Sequence, residues 1–323
     1  MKPASIISLI IAVLLIIVGL VTCFIAQNMA NANGQFLFAE EIDGDYRQTV
    51  DLTDTEISKI ELIADNITVN IYGRSEKSYV EFINFRENYY SLSTSNRILS
   101  FDEIPDITSM LKFWENGFSF KGMRYLINFK QKIDETREKK INIYLSSDKE
   151  IKIFDIKSST CIVNIESMTT GTDYNITADN LTLNTKVVKT SSTINVNAGR
   201  DDAPATAANL NLQTTFVTNL NVNASELNLN ADLFRCNGIA NIVCDTGEVR
   251  IAAVKDPTAL TLDLKTVSGR LYVNEDEVHT PYAIVGSEEG AGSLAIESIS
   301  ADIHVVKSTS SDTSDAPADH EAK

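Results

Sequence analysis

The chain has 323 residues, 43% of them hydrophobic but only 7% aromatic, so it can fill a substantial core and must do so mainly with aliphatic side chains. Its 44 acidic against 28 basic residues give a net charge of -16, which argues against a nucleic-acid backbone as partner. Four cysteines in a chain of this length do not make a disulfide framework.

Residues 1–27 read as a membrane anchor. Ser5 to Ala26 is an uncharged apolar run that would span about 33 Å as a helix at about 1.5 Å per residue, matching a bilayer core of about 30 Å. Lys2 precedes the run and the first charges after it are Glu40 and Glu41, so the positive-inside rule places the N-terminus in the cytoplasm and the remainder outside. Two other readings stay open. Ala30-Asn-Ala32 has the form of a cleavage site, but the run exceeds the roughly 7 to 15 residues of a signal core, which favours retention. Leu20-Val-Thr-Cys23 has the form of a lipobox, with Thr22 where a smaller residue is usual and apolar residues continuing past the cysteine.

Residues 28–56 form a spacer and an acidic lead-in. Asp43-Gly-Asp45 hints at a calcium loop, but the glycine is misplaced and no correctly spaced glutamate closes it, so a solvated turn is the better reading. From Ile57 to Phe85 the apolar residues Ile60, Leu62, Ile67, Val69, Ile71, Val80 and Phe82 keep a period of two, the signature of strands with one buried side. Residues 87–140 break the pattern as an aromatic-rich insertion in which Ile107 to Trp114 could form a short helix. It reads as a lid over the open first coil. Alternatively Phe113, Trp114, Phe118 and Phe120 are a contact for a partner, a glycan or the membrane surface.

Ile141 to Val306 is almost continuous strand signal. Its clearest unit is Leu262, Leu264, a Ser268-Gly269 turn, Leu271 and Val273. The same offsets recur at Ala240, Ile242, Val249 and Ile251, and at Leu294, Ile296, Ile303 and Val305, with Ile151, Ile153, Ile156 and Ile162 following loosely. Side chains alternate across a strand, so Leu210, Leu212, Leu220, Val222, Leu227 and Leu229 can be buried while the intervening asparagines face outward. If coils stack in register, those amides can hydrogen-bond in ladders. Units starting about 20 to 30 residues apart, with Asn-Gly or Asp-Gly pairs only at Asn237-Gly238 and Asp43-Gly44, favour a parallel β-helix or β-solenoid over residues 57–306. The alternative is an antiparallel β-sandwich. Cys236 and Cys244 flank the Asn237-Gly238 turn, where a disulfide is one reading and inward-facing free thiols the other. Residues 307–323 are a polar tail without apolar period, expected to be disordered.

The search for chemistry finds little. His279, His304 and His320 pair with nothing at a metal-ligand spacing, and no metal or other cofactor is expected. Ser109-Met-Leu-Lys112 and Ser146-Ser-Asp-Lys149 fit the Ser-x-x-Lys form without its companion Lys-Thr-Gly. The nearest candidates for the acid, base and cation or arginine of a carbohydrate-active enzyme are Asp245, Glu248, Arg250, Asp263, Lys265 and Arg270, which otherwise form a solvated, mixed-charge surface.

Thr266-Val-Ser-Gly-Arg-Leu-Tyr-Val273, Asp245-Thr-Gly-Glu-Val-Arg-Ile251, Ser298-Ile-Ser-Ala-Asp-Ile-His-Val305 and Lys140-Ile-Asn-Ile-Tyr-Leu145 resemble the bacterial putative-adhesin family of β-strand-repeat proteins, a domain of unknown function. The resemblance covers roughly Ile57 to Val306. It implies an extracytoplasmic β-helix behind a single membrane helix, in some members associated with envelope stress. The expected function is a non-enzymatic scaffold for adhesion or protein interaction, with a protein or cell-wall partner.

Overall fold

The computed structural model describes residues 47–85, 90–103, 137–169, 171–189, 191–198, 207–287 and 292–309, together with Gly19. The chain divides into two units, residues 1–46 with 105–137, and residues 47–104 with 138–323. Every described strand belongs to the second unit, which is all-β. Its strands are β1 (Arg47–Asp51), β2 (Lys59–Ile63), β3 (Ile67–Ser75), β4 (Tyr79–Ile83), β5 (Tyr90–Ser95), β6 (Ile98–Glu103), β7 (Lys139–Ser146), β8 (Ile153–Met168), β9 (Asp173–Lys189), β10 (Thr193–Ala198), β11 (Ala207–Val217), β12 (Asn219–Cys236), β13 (Ile239–Ala253), β14 (Thr261–Thr266), β15 (Leu271–Val273), β16 (Asp276–Val278), β17 (Tyr282–Ile284), β18 (Ser293–Ser298) and β19 (Asp302–Lys307). Apart from Gly19, the anchor run lies outside the described residues, as does the tail beyond residue 309, and no helix among those described is long and apolar enough to cross a membrane.

The strands pair in two parallel series. The first runs β6, β2, the first halves of β8 and β9, β10, the first halves of β12 and β13, β18 and β14. The second runs β7, β3, the second halves of β8 and β9, β11, the second halves of β12 and β13, β19 and β15. Pairing is in register except for shifts between Tyr72 and Ser75 on β3 and between Ala231 and Phe234 on β12, so inward positions elsewhere stack on their counterparts in the next coil. Leu99, Ile60, Phe154, Tyr174, Ile194, Leu220, Ala240, Leu294 and Leu262 form one such row, and all are buried. The units at 240–251, 262–273 and 294–305 that share offsets in the sequence are thus neighbours in register. Leu220 and Val222 belong to the first series, and Leu210, Leu212, Leu227 and Leu229 to the second.

The spatial order departs from chain order at both ends. The coil of β6 and β7 lies outside that of β2 and β3, and the coil of β14 and β15 lies outside that of β18 and β19. Among the described residues antiparallel pairing is confined to these ends, where β4 lies on β7, β1 on β4, β5 on β6, β17 on β14 and β16 on β15. These strands cover the outermost parallel edges, whose backbone groups would otherwise face solvent. Two of the returns are tight hairpins with positive φ at both central residues, Asn96-Arg97 and Asn274-Glu275, as the right-handed strand twist prefers. Asn237-Gly238 is no hairpin. It carries the chain from β12 to its parallel neighbour β13, with Gly238 N–H donating to the Thr218 carbonyl at 2.8 Å.

Two expectations change. Residues 90–103 and Lys139-Lys140, read as part of the aromatic insertion, belong to strands of the stack, the two lysines opening the β7 strand expected from Ile141 onward, and the rings of Tyr90 and Phe82 lie 5.0 and 4.6 Å from that of Phe101. Ile153 and Ile162 do not line the interior, and Ile162 is 40% exposed. The inward residues are Phe154, Ile156, Cys161, Val163 and Ile165. Adjacent apolar residues at 153–154 and 161–163 leave the parity open, and stacking on Ile60, Val69 and Tyr174 decides it.

Tyr174 is fully buried, stacked on Phe154 at 5.5 Å, and its hydroxyl makes no hydrogen bond of normal geometry. Burial holds its phenol far above the usual range. Since an unsatisfied buried hydroxyl costs about 1–3 kcal/mol, Tyr174→Phe is expected to raise the melting temperature. A fall would show that the hydroxyl is held, with the Thr172 side chain as its partner.

Candidate functional site

The outward positions of the coils also stack in register, and where they are asparagine their amides join. In the second series Asn70 donates to Asn142 at 2.8 Å, Asn164 to Asn70 at 2.7 Å, Asn184 to Asn164 at 2.8 Å and Asn211 to Asn184 at 2.9 Å. In the first series Asn195 donates to Asn175 and Asn221 to Asn195, both at 2.8 Å. Each interior amide uses one N–H and one lone pair in its ladder and keeps one of each for other partners. Beside the second ladder the rings of Tyr79, Tyr144 and Tyr72 stack in sequence, at 4.5 and 5.0 Å.

The first series forms a groove of about 410 Å³ across four coils. One side is the row Asn175, Asn195, Asn221 and Asn241. The other, two residues further along each strand, is Thr177, Asn197, Asn223 and Val243. No lining residue is charged. The four strands beneath are paired on both sides, so the groove offers side chains and no open backbone edge.

The six charged candidates do not converge on one point. Lys265 pairs with Asp263 at 3.0 Å, and Arg270 with Asp302 at 2.7 Å, while Arg270 N–H also donates to Asp302. The guanidinium and that N–H hold the Asp302 carboxyl below its usual range. Glu248 lies in register with Asp302, and Arg250 with His304. The Asp245 carbonyl accepts from Ser300 N–H. Sequence reasoning missed Asp302, Tyr272 and His304, although the shared offsets of the repeat place them beside Arg270 and Arg250. The Tyr272 and His304 rings stack at 4.5 Å. Ion pairs as exposed as Lys265–Asp263 and Arg270–Asp302 are screened by solvent and add little to stability.

Other candidates resolve into structure. Ser146 Oγ lies 2.6 Å from Ser78 Oγ, while Lys149 Nζ turns to the Leu52 carbonyl at 2.7 Å and to that of Thr55, so the Ser-x-x-Lys pair is not assembled. Among the described residues no group of three or more His, Cys, Asp or Glu is placed to hold a metal ion. Ser109, Lys112, Phe113, Trp114, Phe118 and Phe120 lie outside the described residues.

The disulfide reading is corrected: Cys236 and Cys244 are buried free thiols, as is Cys161. Because the strands flanking Asn237-Gly238 are parallel neighbours, Cys236 stands in register with Val217, and Cys244 with Ala224 and Ser298. Burial pushes the Cys161 thiol up to about 12 and the Cys244 thiol up to about 11. Since the thiolate is the reactive form, all three should resist iodoacetamide at pH 8 in the folded protein and react after denaturation. Rapid labelling of the native state, or a missing pair of thiols after denaturation, would contradict this.

No protein-family model and no curated protein sequence matches the chain. Solved structures that it matches include a putative cell adhesion protein from Clostridium sporogenes, at 12% identity over 81% of this chain and 99% of that one, with a TM-score of 0.30. A putative adhesin from Bacteroides fragilis matches at 12% identity over 82% and 98%, with a TM-score of 0.30. A putative lipid binding protein from Parabacteroides distasonis matches at 12% identity over 82% and 98%, with a TM-score of 0.34. At superpositions this loose, nothing of those proteins' roles carries over to this chain.

Proposed function

We propose that the chain is an envelope-anchored binding scaffold, a parallel β-solenoid held at the membrane by Ser5 to Ala26 and presenting its outer surface to a partner outside the cytoplasm. One observation carries the reading. Outward asparagines are fixed coil upon coil as ordered amides, with a groove of about 410 Å³ among them, while Lys265 pairs with Asp263 and Arg270 with Asp302 on the surface. Such a surface is suited to recognition by many weak contacts on a preorganised framework, and it assembles no acid and base about a common point.

The test is a photo-crosslinking residue placed at Asn223 in intact cells, with a second placed at Asn184 on the other series. A discrete adduct from Asn223 that is absent from Asn184 supports the reading, and adducts from neither overturn it. Proteolysis of intact cells checks the placement. Cleavage after residue 40 by external protease is expected, and protection until the membrane is opened would contradict it.

A further inference from the structure

Resting on the reading of this surface as a binding face, we propose that the asparagine groove of the first series binds a neutral glycan chain lying along the stack, across the coils. The two rows differ in a way that an architectural role does not explain. Asn175, Asn195 and Asn221 are tied into a hydrogen-bonded chain. Opposite them the exposed side chains of Asn197 and Asn223 make no hydrogen bond among the described residues, nor does that of Asn241 at the end of the first row. A groove lined by fixed amides at Asn175, Asn195 and Asn221 and by unpartnered ones at Asn197, Asn223 and Asn241 offers donors and acceptors repeating at the strand separation of about 4.8 Å.

Chemistry narrows the occupant. The lining contains no lysine or arginine for a phosphate, sulfate or uronate, and no carboxylate for a cation. The surrounding chain, at a net charge of -16, repels polyanions. A peptide that binds by strand addition needs an open sheet edge, and the backbone of these four strands is already paired on both sides. A sugar chain fits both remaining characters of the groove. Its hydroxyl or acetamido groups match the amides, and its C–H faces can lie on the asparagine methylenes and on Val243, which is 39% exposed. With no aromatic platform in the lining, each sugar contributes little, so affinity must build with the number of coils spanned.

The experiment titrates the purified full chain with N-acetylglucosamine oligomers of one to six units and follows binding by calorimetry. The proposal expects no measurable binding of the single sugar and at least a tenfold gain in affinity from the dimer to the tetramer. It expects at least a tenfold loss in the Asn197→Asp/Asn223→Asp double variant, a smaller loss in Asn197→Ser/Asn223→Ser, and no change in Asn184→Asp on the other series. Affinity independent of length, equal binding of a hexasaccharide alternating N-acetylglucosamine with glucuronate, or indifference to both double variants would overturn it, as would no binding of any oligomer at millimolar concentration. If no oligomer binds but the Asn223 crosslink in cells joins a protein, and Asn197→Asp abolishes that adduct, the glycan proposal fails and the scaffold reading stands.

Discussion

Stopping the chain after Ser287 is expected to unfold its C-terminal coils, whereas stopping it after Thr309 should leave the melting temperature unchanged. β18 and β19 come late in the sequence, yet they lie between β13 on one side and β14 and β15 on the other. Their removal exposes two parallel edges at once and deletes the buried Leu294, Ile296, Ile303 and Val305. At about 1.5–3 kcal/mol for each side chain, the loss rivals the roughly 5–15 kcal/mol by which a whole domain is stable. Limited proteolysis should then cut beyond Ala253 in the shorter protein and spare the same region of the longer one. Equal resistance in both would show that the C-terminal pair is an accessory and does not hold the end together.

Gly247→Ala should cost several kcal/mol, out of proportion to one methyl group. Gly247 turns the corner between the two halves of β13 at a φ of +125°, and a Cβ there would stand 1.9 Å from the Leu227 carbonyl oxygen. That carbonyl belongs to the neighbouring β12, paired on both sides, so it has little room to retreat. Strain of the positive φ and the backbone clash act together. The neighbouring exposed Thr246→Ala makes a control, expected within about 0.5 kcal/mol of the parent. A denaturant midpoint for Gly247→Ala equal to that of the control would mean that the corner is not built as described.

Much of the stack is legible in the sequence because parity and offset carry it. Leu262, Leu264, Leu271 and Val273 share their spacing with Leu294, Ile296, Ile303 and Val305, and they are neighbours in register. The amide ladders follow from the same rule applied to the outward asparagines. The order of the coils is another matter. Every coil offers a similar apolar pattern on both of its edges, so periodicity cannot tell that 293–307 slips between 239–253 and 261–273. The hairpins at Asn96-Arg97 and Asn274-Glu275 escape a search for Asn-Gly, since there asparagine is followed by a charged residue that also takes a positive φ. At the candidate site, the amides could be read from the sequence, but their grouping into a groove could not. Its curvature depends on how successive coils are offset, which a period of two does not encode.

Spin labels test the in-register stack on which both the scaffold and the groove depend. Cysteine pairs for labelling at Asn175/Asn195, Asn175/Asn221 and Asn175/Asn241 span one, two and three coil steps, and the buried native thiols should remain unlabelled. Separations of the labelled backbone positions that grow by about 4.8 Å per step, to about 14 Å for the last pair, are the predicted result. Separations that fail to rise in that order would contradict the parallel register and, with it, the groove.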